Sequence, residues 1–171
     1  KSKKTIKEGS ELIDKVRKLR EVEEEKEISE INLNSVLDRT LSEHQPQLDE
    51  RGIDIEVDRS EYKVKGGTLL QELFSNILEN SIKHSDCGKI RIKSKSRDEY
   101  CVVTFEDDGK GIPEKIKDNI FCKGFKGDES EGSGLGMYMV KEIANNYGGD
   151  VVVKDSELGG ARFDVKLKKA S

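Results

Sequence analysis

One segment of the chain carries a broad apolar face that other parts of the protein must cover. Between Thr68 and His84, apolar residues recur three and four positions apart, which is the spacing of one side of an α-helix. These residues are Leu69, Leu70, Leu73, Phe74, Ile77, Leu78 and Ile82. Thr68 and Gln71 have the spacing of a capping box, which predicts the start of the helix. A face this wide predicts a helix buried against a second layer.

Alternating apolar residues elsewhere predict that this second layer is a sheet. The pattern over residues 90–105 predicts a hairpin that turns near residues 97–99. The remaining predicted elements are strands over 53–57 and 62–65, a hairpin over 151–154 and 162–167, and helices over 33–51 and 135–147. Helices and strands are grouped and do not alternate as βαβ units. We therefore expect an α+β fold, a two-layer sandwich of a mixed, largely antiparallel sheet covered on one face by helices.

The first thirty residues differ in character from the rest of the chain. They contain no Pro and a single Gly, and their narrow apolar stripe consists of Leu12, Ile13, Val16 and Leu19. This pattern predicts a helix that packs on a second copy of itself or on another helix, with a solvated tail as the alternative. We expect a helical segment with its linker over 1–30 and a globular domain over 31–171. Because the chain begins with Lys1 and not with Met, we expect a piece of a longer protein, and any membrane anchor would lie outside it.

Composition argues against several classes of function. The 171 residues carry a formal net charge of -4 and the sequence pI is about 5.4, which argues against a nucleic-acid partner bound through charge. Cys87, Cys101 and Cys122 lack the CxxC spacing of a zinc or redox site, so we expect free thiols in a reducing compartment. No apolar run approaches the roughly 18 residues of a membrane span.

The first candidate functional segment lies on the predicted helix over residues 68–84. Asn76 and Asn80 are four positions apart on one face, and Lys83 lies about one turn further on. An amide oxygen can ligate Mg²⁺, which usually shares its shell with waters and substrate phosphates, and a lysine can bind the same phosphates. Taken alone, the segment favours ordinary surface residues, and a site for Mg²⁺ and phosphate is the alternative that the other segments support.

The second segment follows the strand that ends near residue 106. Asp107 is followed by Gly109 and Gly111, which lack the side chains that would keep a flat ring away from the backbone. A carboxylate there can accept hydrogen bonds from a base, and the exocyclic amine of adenine fits this description. A metal loop is disfavoured because the further ligands of an EF-hand are missing. An ordinary turn at the end of a strand is the alternative.

The third segment, residues 132–136, is rich in glycine and opens the predicted helix over 135–147. Glycines before a helix leave backbone N–H groups available for phosphate oxygens at the positive end of the helix dipole. Residues 121–128 combine glycines with two aromatic residues and two lysines. This composition suits a mobile lid over a polyphosphate, and a surface connection is the alternative.

Taken together and in this order, these segments resemble the ATP-binding domain of sensor histidine kinases, in the superfamily that also contains gyrase, MutL and the ninety-kilodalton heat-shock chaperone. The resemblance covers residues 31–169. The stretches similar to the family's N box, first glycine box, F box and second glycine box are 76–85, 107–112, 121–125 and 132–136. It implies the Bergerat-type form of the expected α+β sandwich.

The resemblance also implies roles for individual residues. Asn80 would hold Mg²⁺, Asn76 and Lys83 would lie by the phosphates of ATP, His84 by the ribose or base, and Asp107 on the adenine amine. The other implied nucleotide-binding residues are Gly109, Gly111, Ile112, Phe125, Lys126, Gly132, Ser133, Gly134, Leu135, Gly136 and Ala161. The implied catalytic residues are Asn76, Lys83 and Lys126, the last within a lid over residues 122–131.

Two departures from the family pattern affect what we expect. Ala161 stands where the family usually has Thr, which weakens an expected water-bridged contact to adenine. Asn76 stands where ATPase relatives have a Glu that acts as general base. Since Asn cannot take a proton in that way, we expect poor hydrolysis and transfer to another acceptor.

The implied function is that of an ATP-dependent protein-histidine kinase without its phosphoacceptor. His44 and His84 are the two histidines of the chain; His84 belongs to the N-box-like stretch, and we expect His44 to be an ordinary surface residue. The acceptor would lie on an upstream dimerisation domain of a homodimeric protein. A response-regulator receiver domain would be the next partner, and the domain would be cytoplasmic. The alternatives are a nucleotide-gated module without phosphoryl transfer and a serine kinase that resembles anti-sigma factors.

Overall fold

The computed structural model of the protein describes residues 2–25, 27–125 and 134–170. The helices are α1 (Ser2–Glu24), α2 (Leu33–Arg51), α3 (Leu70–His84) and α4 (Gly136–Asn146). The strands are β1 (Ser29–Asn32), β2 (Asp54–Val57), β3 (Lys63–Gly66), β4 (Lys89–Arg97), β5 (Tyr100–Asp107), β6 (Asp150–Asp155) and β7 (Ala161–Lys168). Each predicted helix and strand is present, with ends that agree to within a few residues.

The strands form one sheet in the order β2-β4-β5-β7-β6 and a small two-stranded sheet of β1 and β3. The pair β2 and β4 is parallel, whereas the other pairs of the large sheet are antiparallel. Helices α3 and α4 pack on this sheet. The expected fold, a mixed and largely antiparallel sheet covered by helices, is confirmed.

The apolar face of α3 provides the centre of the core. Leu70, Leu73, Phe74 and Ile77 are completely buried, and the ring of Phe74 lies 5.4 Å from the ring of Phe105 on β5. Full burial of a side chain of this size contributes about 1.5–3 kcal/mol. The helix is therefore held firmly on the sheet, and its polar residues have defined positions.

The capping box predicted for Thr68 and Gln71 is wrong. The helix begins at Leu70, and its first residues receive no side-chain cap from the preceding residue. The backbone N–H of Thr68 instead donates to Oε1 of Glu25, at 2.9 Å, and the amide of Gln71 donates to Glu43 on α2. Thr68 and Gln71 therefore bond to carboxylates that are distant in sequence, and the two hydrogen bonds of the expected capping box do not form.

Helix α1 packs against α4 through its C-terminal part. Val22 is buried and Leu19 packs against the core. The stripe residues Leu12, Ile13 and Val16 are 43%, 63% and 40% exposed. Part of the predicted apolar stripe therefore contacts the domain, and part is open to solvent.

His44 is not the surface residue that the sequence predicted, since it is only 3% exposed. Its Nε2 lies 2.6 Å from Oγ of Ser75 on α3, and its Nδ1 lies 3.0 Å from Oε1 of Gln47. The prediction failed because His44 lies four positions after buried Thr40 and four before buried Leu48, on the inward face of α2.

Two further expectations concern the cysteines and the membrane. Cys87, Cys101 and Cys122 are all free thiols. No helix over residues 2–25, 27–125 and 134–170 is both long and apolar enough to cross a membrane.

Candidate functional site

Helix α3 carries the polar residues that organise the candidate site. Asn76 is buried, and its Nδ2 donates to the backbone carbonyl oxygen of Glu72 at 2.8 Å. This bond leaves Oδ1 of Asn76 facing the start of α4, where a Cβ added to Gly136 would lie 3.0 Å from it. A residue with a side chain at position 136 would crowd this oxygen. The structure therefore brings Asn76 and the N-terminus of α4 together.

Asn80 and Lys83 follow along the same helix. Asn80 is half-buried, and its carboxamide has no hydrogen-bonding partner among the described residues. Lys83 is exposed, and its ammonium lies 3.9 Å from the carboxylate of Glu79. His84 is the last residue of the helix and is half-buried. These three side chains are more exposed than that of Asn76.

The carboxylate of Asp107 is held at the end of β5 and is only 1% exposed. Its Oδ2 accepts a hydrogen bond from the hydroxyl of Ser81 at 2.9 Å, and its Oδ1 accepts from the backbone N–H groups of Gly109 and Ala161 at 3.0 and 3.2 Å. An ionised carboxylate has about four acceptor positions. Three are filled by the protein, so about one remains for a ligand donor.

Two glycines allow this arrangement. A Cβ on Gly160 would lie 2.1 Å from Oδ1 of Asp107, and a Cβ on Gly109 would lie 2.1 Å from the backbone oxygen of Ser85. The sequence predicted that the glycines after Asp107 make room for a ring. In the structure, Gly109 makes room for the end of α3. Gly111, which has a φ of +72°, provides the left-handed turn that follows.

Gly124 and Gly134 contact each other through their backbones close to the start of α4. Gly134 has a φ of +72°, and a Cβ there would lie 2.8 Å from the carbonyl carbon of Gly124. The N–H of Gly124 donates to the carbonyl oxygen of Gly134 at 3.1 Å. Phe125 packs against the core on one side of this junction, and Leu135 precedes the first turn of α4 on the other. Ile112 also packs against the core.

Three of the predicted site residues, Lys126, Gly132 and Ser133, lie outside the described residues, as does most of the predicted lid. Among the described residues, no group of three or more His, Cys, Asp or Glu side chains could hold a metal ion. A cation at this site would need amide oxygens and a ligand that brings its own oxygens.

Sequence reasoning missed two contributions to the site. Ser81, which donates to Asp107, could have been found, because it is a hydroxyl residue on an otherwise apolar face of α3. Lys15 and Lys18 on α1 gave no local signal. Nζ of Lys15 lies 2.5 Å from Oδ1 of Asn76, and Nζ of Lys18 lies 2.8 Å from Oε2 of Glu72.

These lysines determine the charge of Glu72. Burial opposes ionisation of its carboxyl group, but the hydrogen bond from Lys18 and the positive charges of Lys15 and Lys18 outweigh burial and lower the pKa of Glu72. Burial likewise opposes the charge on Lys18, and its hydrogen bond to Glu72 raises its pKa overall. Both partners are therefore charged, and α1 is joined to α3 by ion pairs.

Comparison with known proteins identifies the family. The model of the family described as histidine kinase-, DNA gyrase B-, and HSP90-like ATPase matches residues 66–171. The chain belongs to this family. The match begins just before α3 and includes every predicted site residue.

Individual relatives point to one branch of that family. The virulence sensor histidine kinase PhoQ of Salmonella typhimurium is 34% identical over 96 residues, which are 55% of this chain and 19% of that protein. The chain thus spans about a fifth of the length of the curated relatives it matches. Two solved structures are also similar. The mycobacterial sensor histidine kinase MprB has a TM-score of 0.73 at 26% identity, covering 82% of this chain and 97% of that one.

The second structure, the Acinetobacter baumannii histidine kinase AdeS, has a TM-score of 0.78 at 21% identity and covers 95% of this chain and 79% of that one. At this identity the match shows the fold. Together with the family match, these likenesses confirm the resemblance to the ATP-binding domain of sensor histidine kinases.

Proposed function

We propose that this chain is the catalytic part of a two-component sensor kinase that binds ATP with Mg²⁺ and phosphorylates a histidine. The bond between the terminal phosphorus and its bridging oxygen breaks, a phosphorus–nitrogen bond to the imidazole forms, and ADP leaves. The acceptor lies on a dimerisation domain of the same protein, of which residues 1–30 are the end. The phosphoryl group then passes to an Asp on a response-regulator receiver domain. The full-length protein is a homodimer, with this part in the cytoplasm.

One observation supports the nucleotide site above all others. Helix α3 holds Asp107 through Ser81 and faces the N-terminus of α4 through Asn76. Ser81 and Asn76 are five residues apart, which is about 7.5 Å along a helix. A carboxylate for a base and a helix N-terminus for phosphates are thus held at the two ends of one short, rigid segment.

The carboxylate of Asp107 favours adenine over guanine. Its remaining acceptor position suits the exocyclic amine of adenine, whereas guanine presents an oxygen at that place. Ala161 contributes its backbone N–H to Asp107 and brings no side-chain hydroxyl to the base. We therefore expect the direct contact with Asp107 to provide most of the base specificity.

The residues present fit a Mg²⁺ ion that binds together with the nucleotide. Asn80 offers a half-buried carboxamide oxygen that has no partner among the described residues. When bound, Mg²⁺ would neutralise charge on the phosphates. Asn80 would hold the ion from the protein side, while phosphates and waters complete its coordination.

The side chain at position 76 favours transfer over hydrolysis. A carboxamide cannot take a proton from water as a carboxylate can. Asn76 is also fixed by its bonds to Glu72 and Lys15, so it cannot swing away to admit another base. Lys126, outside the described residues, would neutralise the migrating phosphoryl group. Exposed Lys83, about two turns of α3 from Asn76, would bind the phosphates nearer the base.

The test is a reconstituted transfer reaction. The chain is incubated with ATP labelled in the terminal phosphate and with a separate dimeric helical hairpin that carries the acceptor histidine. We expect label on the hairpin that is lost in acid and retained in alkali, and no label on a matched hairpin with His→Gln. Acid-stable label would favour a serine kinase. ATP binding without any transfer would favour a nucleotide-gated module.

A further inference from the structure

Helix α1 contributes a cation to the candidate nucleotide site from outside the family-matched residues. Nζ of Lys15 donates to Oδ1 of Asn76 at 2.5 Å and lies 3.3 Å from Oε1 of Glu72. The side chain of Lys15 is 20% exposed, so it is largely shielded from water. The interior of the site therefore includes a charge that the matched region, residues 66–171, does not encode.

The position of this ammonium suits an anion. Oδ1 of Asn76 faces the N-terminus of α4, a helix of 11 residues. The N-terminus of a helix carries partial positive charge. A lysine beside it is repelled by that charge, whereas a phosphate between the two would be attracted by both. Lys15 and the first residue of α4 thus lie beside the same oxygen of Asn76.

Glu72 does not prevent Lys15 from taking part. Its other carboxylate oxygen, Oε2, is bonded to Lys18 at 2.8 Å. If Lys15 turns towards a phosphate, Glu72 keeps this second ion pair. The rearrangement therefore leaves no buried carboxylate without a charged partner, which would be costly.

We propose that Lys15 binds the phosphate that lies farthest from the base. This inference rests on the proposed nucleotide site, with the base at Asp107. Asp107 is held at Ser81, so the phosphates extend along α3 from Ser81 towards Asn76. Lys15 contacts Asn76 and Glu72, at the end of that span away from Asp107, so it would lie beside the terminal phosphate. ATP affinity then depends on the docking of α1.

The test compares three nucleotides on the whole 171-residue chain. Dissociation constants for ATP, ADP and AMP are measured by calorimetry in Mg²⁺ for the unsubstituted chain, Lys15→Met, Lys15→Arg and Arg17→Met. Arg17 is an exposed residue on α1, so Arg17→Met removes the same charge without touching the site. Thermal unfolding of each variant checks the fold.

We expect Lys15→Met to weaken ATP binding about tenfold, at the lower end of the range for a charge-assisted hydrogen bond. ADP and AMP should bind nearly as before, because they lack the terminal phosphate. Lys15→Arg should restore most of the ATP affinity, and Arg17→Met should change none of the three values.

Several outcomes would overturn the proposal. Lys15→Met could leave ATP binding unchanged, or it could tighten ATP binding, which would mean that Lys15 blocks the phosphate site. An equal loss for ATP and AMP would show a structural role alone, and this ratio within one variant is independent of any overall loss of stability. If the unsubstituted chain binds no ATP, the proposed function itself fails, and the inference with it.

Discussion

The hydroxyl of Ser81 donates a 2.9 Å hydrogen bond to the carboxylate of Asp107, both groups being buried. This bond ties the fourth turn of α3 to the end of β5. It fixes the carboxylate in a single orientation, in which one oxygen accepts from the hydroxyl and the other from the backbone of Gly109 and Ala161. A recognition group with fixed geometry can discriminate between bases, which a mobile surface carboxylate cannot do as well.

Asp107→Asn should weaken ATP binding roughly ten- to a hundredfold, because a charge-assisted bond worth about 1.5–3 kcal/mol is lost. Calorimetric titration with ATP and GTP measures the effect. The matched control is Asp108→Asn at the adjacent, exposed position, whose carboxylate accepts hydrogen bonds from the backbone of Gly88 and Lys89 instead. Equal affinities of the unsubstituted chain for ATP and GTP would refute the assignment of Asp107 to adenine.

Ser81→Ala should lower the free energy of unfolding by about 1–3 kcal/mol, because the buried carboxylate loses a donor. Denaturant titration measures this change. Ser94→Ala is the control, since its hydroxyl is buried without a hydrogen-bond partner among the described residues and its removal should cost little. Similar losses in the two variants would mean that the bond to Asp107 is not what Ser81 contributes.

Much of the fold could be predicted from sequence because its signals are local. The predicted bounds of the helix over 33–51 agree with α2, which is followed by a left-handed Gly52 with a φ of +64°. The end of α3 at His84 and the turn of the hairpin at Asp98 were also predicted correctly. In each case the periodic pattern and the residue that ends it are neighbours in the chain.

The features that sequence reasoning missed depend on distant residues. Strand β1, which was not predicted, pairs with β3, with Ile31 opposite Val64. Lys15 and Asn76 are 61 positions apart, and Glu25 and Thr68 are 43 apart. A local sequence pattern does not indicate which distant carboxylate or ammonium group a residue will contact in the fold. The positions of Asn76 on α3 and of Asp107 at the end of β5 were therefore predictable, while the contacts made by α1 were not.

Asn80→Ala should remove the Mg²⁺ dependence of ATP binding and leave the fold intact, because alanine is a good helix former and the amide oxygen is the expected ligand. ATP titrations with Mg²⁺ and with a chelator measure this dependence, and circular dichroism checks the fold. Asn80→Asp keeps an oxygen at the same place and should retain the dependence. If Asn80→Ala binds ATP with the affinity and Mg²⁺ dependence of the unsubstituted chain, Asn80 is not a ligand.

Stability should fall in acid because of Glu72. Lysine contacts lower its pKa in the folded protein below the ordinary value of 4.5. The ionised carboxylate therefore stabilises the fold fully above that ordinary value, and the contribution is lost as the pH falls through the lower pKa of the folded state. Unfolding midpoints measured from about pH 6 to about pH 3 should decline less steeply for Glu72→Gln. Glu79→Gln removes the ion pair between Glu79 and Lys83, further along α3, and should keep the steep decline.

His44→Gln should reduce stability and leave phosphorylation chemistry unchanged. Both ring nitrogens of His44 are within hydrogen-bonding distance of protein groups, and the ring is buried between α2 and α3. The substitution should lower the free energy of unfolding by about 1–3 kcal/mol, as expected when a buried polar group such as Ser75 loses its partner. A ring in this position is not accessible to a phosphoryl donor, so the chain alone should gain no acid-labile label.

The same experiment tests where the nucleophile lies. Because Asn76 cannot activate water, the chain alone should also turn over ATP far more slowly than the roughly 10 s⁻¹ median of enzymes. Phosphate release measures turnover, and acid and alkaline treatment of the labelled chain detects phosphohistidine. Label on the unsubstituted chain that disappears in His44→Gln would contradict the proposal, because it would place the acceptor on α2. Rapid phosphate release would instead mean that another residue of the chain acts as the general base.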